Sequence, residues 1–295
     1  MGLNQLISVL VAITLIEMMF ATGLSVGFRD VIRAARARRM LLGAGLANYM
    51  VVPCAAVLLI VLVDADPMAA AGILILAVCP GAPYGPPLTA LARGETATSV
   101  GLMVILAGSS MLMAPLLLSL LLPLTTQGAD LHVDPSGMLG AILLSQFLPL
   151  CAGLAVNHWR PDWAASLLAP AVAVGKVLNA ATLAAILTAY LPQLLDIRLG
   201  GILAMLMLLG VSLGAGWCAG GRRDEARRAV ALTTSIRNVG LGLVITAGGF
   251  AGPSAVTAVL AYGLVQLLGS FLLALWWRQS PLLVEMRPNG QAKTQ

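Results

Sequence analysis

Two charged side chains stand where charge is expensive. Arg237 lies near the middle of one apolar run and Glu17 near the middle of another. Facing lipid, each would cost several kcal/mol, so each must face protein or a water-filled cavity and find a partner. A guanidinium in a dry site presents a planar fork that holds a carboxylate bidentately. That chemistry suits a small organic anion. Around it the chain supplies Thr233, Thr234, Ser235 and Asn238, then Gly240 and Gly242. A second irregular stretch, Cys79-Pro80-Gly81-Ala82-Pro83-Tyr84-Gly85-Pro86-Pro87, packs four prolines and two glycines into another apolar run. An intramembrane enzyme would need paired carboxylates, a Ser-His dyad or an HExxH zinc motif. Both histidines, His132 and His158, fall between the apolar runs, and Glu17 is the one clear carboxylate at depth. The residues do not read as an enzyme.

These residues are carried by an unusual chain. Of 295 residues 59% are hydrophobic and 10% charged, against about 25% charged in an average soluble protein. Apolar runs fall at about 4–27, 40–63, 68–92, 95–122, 136–157, 172–191, 197–220, 225–249 and 253–277. The length of each matches a bilayer crossing. The expectation is an all-α polytopic membrane protein of nine transmembrane helices, with the lipid bilayer as its main partner. A soluble enzyme, a nucleic-acid binder and a disordered chain are excluded. The first run has no basic start or small-residue cleavage site and reads as a retained helix, not a signal peptide. Cys54, Cys79, Cys151 and Cys218 have no paired spacing and read as small buried residues. Gly210, Gly214, Gly216 and Gly220 read as sites of close helix packing.

Basic residues set the orientation. With the N-terminus outside, Arg29, Arg33, Arg36, Arg38, Arg39, Arg93, Arg160, Arg222, Arg223, Arg227, Arg228, Arg278, Arg287 and Lys293 are all cytoplasmic, fourteen of the seventeen. The outer loops hold Arg198 beside Asp64, Asp66, Asp130, Asp134 and Asp196. By the positive-inside rule this is N-out, C-in, with residues 278–295 as a cytoplasmic tail and the plasma (inner) membrane as the location. Lys176 sits near the inner end of the sixth run and can snorkel.

Proline removes a backbone donor and clashes with the preceding turn, so the third helix must be broken. Non-helical backbone at membrane depth survives where it is buried or lines a cavity. Paired discontinuous helices in two halves are the best sequence pointer to a transporter's binding site. The third and eighth runs are five crossings apart, an odd number, so their topologies are inverted. Each is the penultimate helix of its half. The sequence reads as inverted repeats with two broken crossing helices, in a single domain.

The stretch ILAVCPGAPYGPPLTALARGETATSV resembles the broken-helix signature of the bile acid:sodium symporter family, a CPGG-type turn followed by an ARG turn. NYMVVP and MFATGLSVGFRD resemble two further family segments, and EARRAVALTTSIRNVGLGLVITAGGF resembles its second broken helix. The resemblance implies a core around 68–92 and 225–249, panel helices from the rest, sodium binding, and alternating access for an anion.

Carried across, the resemblance places several family sodium ligands on residues without a side-chain oxygen, Gly85, Pro86 and Met103, and leaves no carboxylate at position 233. The Ser-Asn pair falls on Gly85 and Pro86, a threonine on Met103, a glutamate on Thr233 and a glutamine on Arg237, while Ser99 is kept and Asn48 replaces a glutamine. Sodium needs several hard oxygens. The reading is a secondary transporter with degenerate sodium sites at Asn48, Ser99 and Thr233. No organic cofactor is expected, and Na⁺ and H⁺ are the candidate coupling ions. Candidate substrate and ion contacts are Arg237, Asn238, Thr233, Thr234, Asn48, Ser99, Glu17, Pro83, Tyr84, Gly85 and Pro86. Arg237 acts as a built-in cation hydrogen-bonded by Asn48, Thr233 or backbone carbonyls, as a carboxylate clamp or as the partner of Glu17, and Glu17 as that partner or as a proton carrier. Thr98, Gln146, Asn179 and Gln266 are further polar residues that could tune substrate choice. A sodium-independent exporter of the same fold and an anion receptor without transport are the alternatives.

Overall fold

With no water to satisfy backbone groups, apolar runs close their hydrogen bonds internally as helices. The computed structural model describes residues 3–65, 67–125, 135–247 and 253–279. In chain order the helices are α1 (Leu3–Ser25), α2 (Phe28–Arg36), α3 (Arg38–Leu62), α4 (Pro67–Ala77), α5 (Gly85–Leu91), α6 (Thr96–Thr125), α7 (Ser136–Trp159), α8 (Pro161–Leu195), α9 (Leu199–Ala219), α10 (Asp224–Ser235), α11 (Val239–Ala247) and α12 (Pro253–Gln279). Among the described residues eight spans are long and apolar enough to cross a membrane, with α10 and α11 counted as one. The remaining expected crossing, 68–92, is the pair α4 and α5. The chain is an all-α, multi-pass membrane protein.

Several details depart from the sequence reading. The sixth run extends to Pro161–Leu195, because Pro161 pre-sets the helical φ at the first position and Asp162 complements the helix dipole. The segment after α1 is not a loop. It forms α2, with Arg29, Arg33 and Arg36 on one side and buried Ala34 on the other. There the backbone of Asp30 and the methyl of Ala34 press on Gly101 of α6. His158 lies in the last turn of α7, its ring 5.4 Å from that of Phe28. Gly216 and Gly220 do allow close packing, against Ala231 and Arg227 of α10, but Gly210 and Gly214 face open space. Cys54 and Cys218 are exposed, Cys151 is half-buried and Cys79 is buried. His132, Asp66, Asp130, Asp134 and the tail beyond Gln279 lie outside the described residues.

The most buried span is the one that holds α10, with 83% of its window inside the protein. Polar residues are concentrated there because protein, not lipid, surrounds them. The outer helix α8 is the opposite, with 17% of its window buried.

Candidate functional site

The first break runs from Val78 to Tyr84, between α4 and α5. Gly81 sits at φ +88°, and a Cβ there would collide with the backbone of Ala107 in α6. Only glycine permits that approach. The second break is shorter: Ile236 is extended, at φ −89° and ψ 115°, and the helix resumes at Val239. The breaks meet, with the Asn238 N–H donating to the Cys79 carbonyl at 2.8 Å. Gln266 of α12 clamps the second break. Its Oε1 accepts from the Arg237 N–H at 2.9 Å and its Nε2 donates to the Arg237 carbonyl at 3.0 Å.

Arg237 is 1% exposed. Its Nη1 donates to Asn48 Oδ1 at 2.9 Å. Asn48 in turn donates to the Ala44 carbonyl at 2.8 Å and to Thr234 Oγ1 at 3.1 Å. The Nε and Nη2 of Arg237 have no hydrogen-bond partner among the described residues. Its titratable neighbours among the described residues are Tyr262, Tyr49 and Cys79, with no carboxylate among them. A cation here lies just past the C-terminal end of α10, where the helix dipole favours positive charge.

Asn48 occupies a π-helical turn, Ala47–Val51, two residues before Pro53 is reached. Gln146 occupies another, Leu143–Phe147, shortly before Pro149. Each proline lacks an N–H and crowds the carbonyl four residues back, and a widened turn relieves both problems. Gln146 uses that turn to reach inward. Its Nε2 donates to the Ala107 carbonyl at 2.7 Å and to Ser110 Oγ at 2.9 Å, and its Oε1 accepts from Asn238 Nδ2 at 2.7 Å. Asn238 Oδ1 then caps α11 by accepting from the Leu241 N–H at 3.0 Å.

A separate hydroxyl cluster joins α5, α6 and α10. Ser99 Oγ and Thr233 Oγ1 are 2.7 Å apart, and Thr89 Oγ1 donates to Ser99 Oγ at 3.1 Å. Gly85 packs on Thr233 at this point, and Pro86 is buried behind it in the first turn of α5. The fold thus gathers Gly85, Ser99 and Thr233 in one place, and Asn48, Thr234 and Arg237 in another. Sequence reasoning missed Thr89, whose signal was its position one helical turn after Gly85. Glu17 joins neither group. Its carboxylate lies against Gly175 of α8, with no hydrogen-bond partner among the described residues and no ion pair to Arg237.

A cavity of about 290 Å³ lies between α1, α8, α11, α12 and both breaks. Its wall is mostly apolar, with Leu15, Leu183, Leu243 and Leu264 among the lining residues. Pro83, Tyr84, Asn179, Asn238, Thr14 and Thr182 also line it. Arg237 does not: its side chain turns away to Asn48. Tyr84 donates to Asn179 Oδ1 at 2.8 Å, and the Thr14 and Thr182 hydroxyls bond each other at 2.8 Å.

The two helix starts at the cavity differ chemically. In α5 the Gly85 N–H is bonded to the Ala82 carbonyl, Pro86 and Pro87 have none, and the Leu88 N–H is bonded to Tyr84. No donor remains for a ligand. In α11 the N–H groups of Val239 and Gly240 have no partner among the described residues, and both residues line the cavity. A helix start with free N–H groups is an anion site in waiting.

Comparison with known proteins agrees with this architecture. The profile of the Sodium Bile acid symporter family matches residues 12–195. A probable chloroplastic sodium/metabolite cotransporter of Arabidopsis thaliana, BASS1, is 25% identical over 90% of this chain, and the chain spans 66% of that protein's length. An uncharacterized sodium-dependent transporter of Bacillus subtilis, YocS, is 26% identical over 92% of this chain and 84% of its own length. A probable chloroplastic sodium/metabolite cotransporter of rice, BASS2, is 23% identical over 90% of this chain and 63% of its own length. More than half of the chain fits the profile, which takes in the first break: the chain belongs to the Sodium Bile acid symporter family, whose members are membrane transporters and not enzymes.

Proposed function

We propose that this protein moves a small organic anion with an apolar body across the membrane by alternating access. The supporting observation is the cavity at the two breaks, apolar along its walls and lined by Val239 and Gly240, whose N–H groups have no partner among the described residues. An anionic group caps α11 while the apolar body packs on Leu15, Leu183 and Leu264. The span pairs α4–α5 and α10–α11 belong to a core, and α1, α7 and α8 to a panel against which the core moves. The clustering of arginines on one side supports an N-out, C-in orientation in the plasma (inner) membrane.

Arg237 serves here as a built-in cation. It stands beyond the end of α10, where a half-helix terminus and unwound carbonyls would otherwise coordinate a coupling ion. A sodium ion beside it would meet fixed positive charge, and Gly85, Pro86 and Met103 offer no side-chain oxygen. These residues do not fit two sodium ions, and transport runs without classical two-sodium coupling. A one-sodium cycle through Thr89, Ser99 and Thr233 is the second reading, favoured by the names of the cotransporter and sodium-dependent relatives.

The first test is thermal stability of the purified protein in NaCl against KCl at matched ionic strength, with and without small branched carboxylates. A folded-state ligand raises stability by mass action. Stabilisation by carboxylates that is lost in Val239→Pro, which removes one donor at a position that tolerates proline, supports the anion reading. Indifference to every carboxylate would sink it. Sodium-driven uptake with more than one ion per cycle would overturn the built-in cation, and a sodium-specific rise with one ion would select the second reading.

A further inference from the structure

Glu17 sits midway along α1, and both of its carboxyl oxygens are sealed from the surface without a hydrogen-bond partner among the described residues. The space it fills is made by one residue. A Cβ at Gly175 would overlap the Glu17 carboxyl, so α8 is hollowed at the point where the carboxyl packs. One turn further along α8, Asn179 donates to the Gly175 carbonyl at 2.8 Å and accepts from Tyr84 at 2.8 Å. Tyr84 belongs to the first break and lies within electrostatic range of Glu17. The carboxyl therefore occupies the seam where α1 and α8 meet the broken helix, beside Met18, Tyr84 and Asn179 of the cavity wall.

Among the described residues nothing on the neighbouring elements neutralises an ionised Glu17. The titratable or charged side chains there are Tyr84 in the first break, Cys151 and His158 on α7, and Asp162, Lys176 and Tyr190 on α8, while α11 carries none. None of them forms a hydrogen bond or ion pair with Glu17 among the described residues. Tyr84 spends its hydroxyl on Asn179, and Lys176 is exposed on α8. Arg237 is engaged with Asn48 of α3 instead. A carboxylate sealed without a donor or cation carries an uncompensated desolvation cost, whereas the protonated acid is neutral.

We propose that Glu17 and Gly175 form a proton-binding niche, protonated in the closed seam seen here and emptied when the seam opens. The step is a reversible transfer of one proton between the Glu17 carboxyl and water, with no covalent change. Its protonation is independent of the transport reading, and its release rests on that reading, because release requires the seam to open.

Infrared difference spectroscopy of the full-length protein in lipid, titrated from acidic to alkaline pH, tests the niche without any substrate. The expected result is a carbonyl stretch of a protonated, non-aqueous carboxylic acid at neutral pH, reversibly lost at alkaline pH and absent from Glu17→Gln. A wild-type spectrum without a band that Glu17→Gln removes overturns the proposal. Gly175→Ala, which crowds the niche while keeping the carboxyl, is expected to shift the titration of that band; an unshifted titration removes Gly175 from the site. The coupling is read from uptake of a small branched carboxylate into proteoliposomes. The wild-type rate is expected to change at least threefold per pH unit across the band's titration, and Glu17→Gln to be flat. A Glu17→Gln rate that keeps the wild-type pH dependence overturns the coupling. A protein that moves no carboxylate yet shows the band retains the niche and loses the transport reading, so the two failures are distinguishable.

Discussion

The N–H of Asn238 is bonded to the carbonyl of Cys79 at 2.8 Å, joining the unwound centre of one broken helix to that of the other. Each break satisfies a backbone group that the other leaves open. Gln266 adds two bonds to the Arg237 backbone from α12. Irregular chain is expensive at membrane depth unless paired, and here the two breaks are paired to each other and to α12.

Asn238→Ala tests that pairing. It removes the cap on α11, worth about 1 kcal/mol, and leaves Gln146 Oε1 buried without its donor, at about 1–3 kcal/mol. The expected loss is about 2–4 kcal/mol on those two terms, seen as a lower unfolding midpoint in detergent. A midpoint equal to wild type would mean that the Asn238 side chain contributes nothing there.

Asn48 and Arg237 should be unequal partners. Asn48→Ala takes the hydrogen-bond acceptor from a buried guanidinium, and a hydrogen bond to a charged group contributes about 1.5–3 kcal/mol. Arg237→Met removes the charge and leaves Asn48 bonded to Thr234 and Ala44, so its cost should be smaller. The double variant should resemble Arg237→Met to within about 1 kcal/mol. A fully additive double-mutant cycle in thermal unfolding would refute the pairing.

Gly23 of α1 and Gly153 of α7 face each other, and a Cβ on Gly153 would strike the Phe20 carbonyl. Gly153→Ala should cost about 1–3 kcal/mol through overpacking. Gly210→Ala, with nothing within 4 Å of its Cβ position, should be neutral or stabilise by up to about 1 kcal/mol. Unfolding midpoints of the two variants would separate the effects, and equal midpoints would contradict the packing.

Arg93, exposed in the turn after α5, holds φ at +55°. Arg93→Gly should therefore raise stability by about 0.5–1 kcal/mol, since left-handed backbone penalises a side chain there. A lower midpoint for the glycine variant would show that the arginine side chain outweighs the strain.

The crossings and both breaks were legible because hydropathy, proline at the first break and the polar cluster running into Gly240 and Gly242 at the second all act locally. A run such as 40–63 announces a span by length, and Cys79–Pro87 announces a break by its missing donors. The π turns at Asn48 and Gln146 were not legible. They depend on where a proline's ring meets the preceding carbonyl, and nothing in NYMVVP distinguishes a widened turn from a kink. Arg237 was legible as a buried charge in need of a partner, and Asn48 was among the partners expected. Its orientation away from the cavity was not, because that depends on which side of α10 faces α3. Ser99 and Thr233 were read as degenerate ligands from the resemblance, whereas Thr89 completed their cluster only through the fold. For α2, the alternation of arginine with small residues was a helical pattern concealed by its charge.

Pro86 and Pro87 make a topologically balanced fold chemically lopsided. The two broken helices enter the cavity as counterparts, yet one start is mute toward a ligand and the other can speak to it. The chamber therefore has a head and a tail. On the proposed reading, a ligand that enters it would be sorted by orientation as well as by size, and two molecules of equal volume and charge would be told apart by where along their length the charge sits.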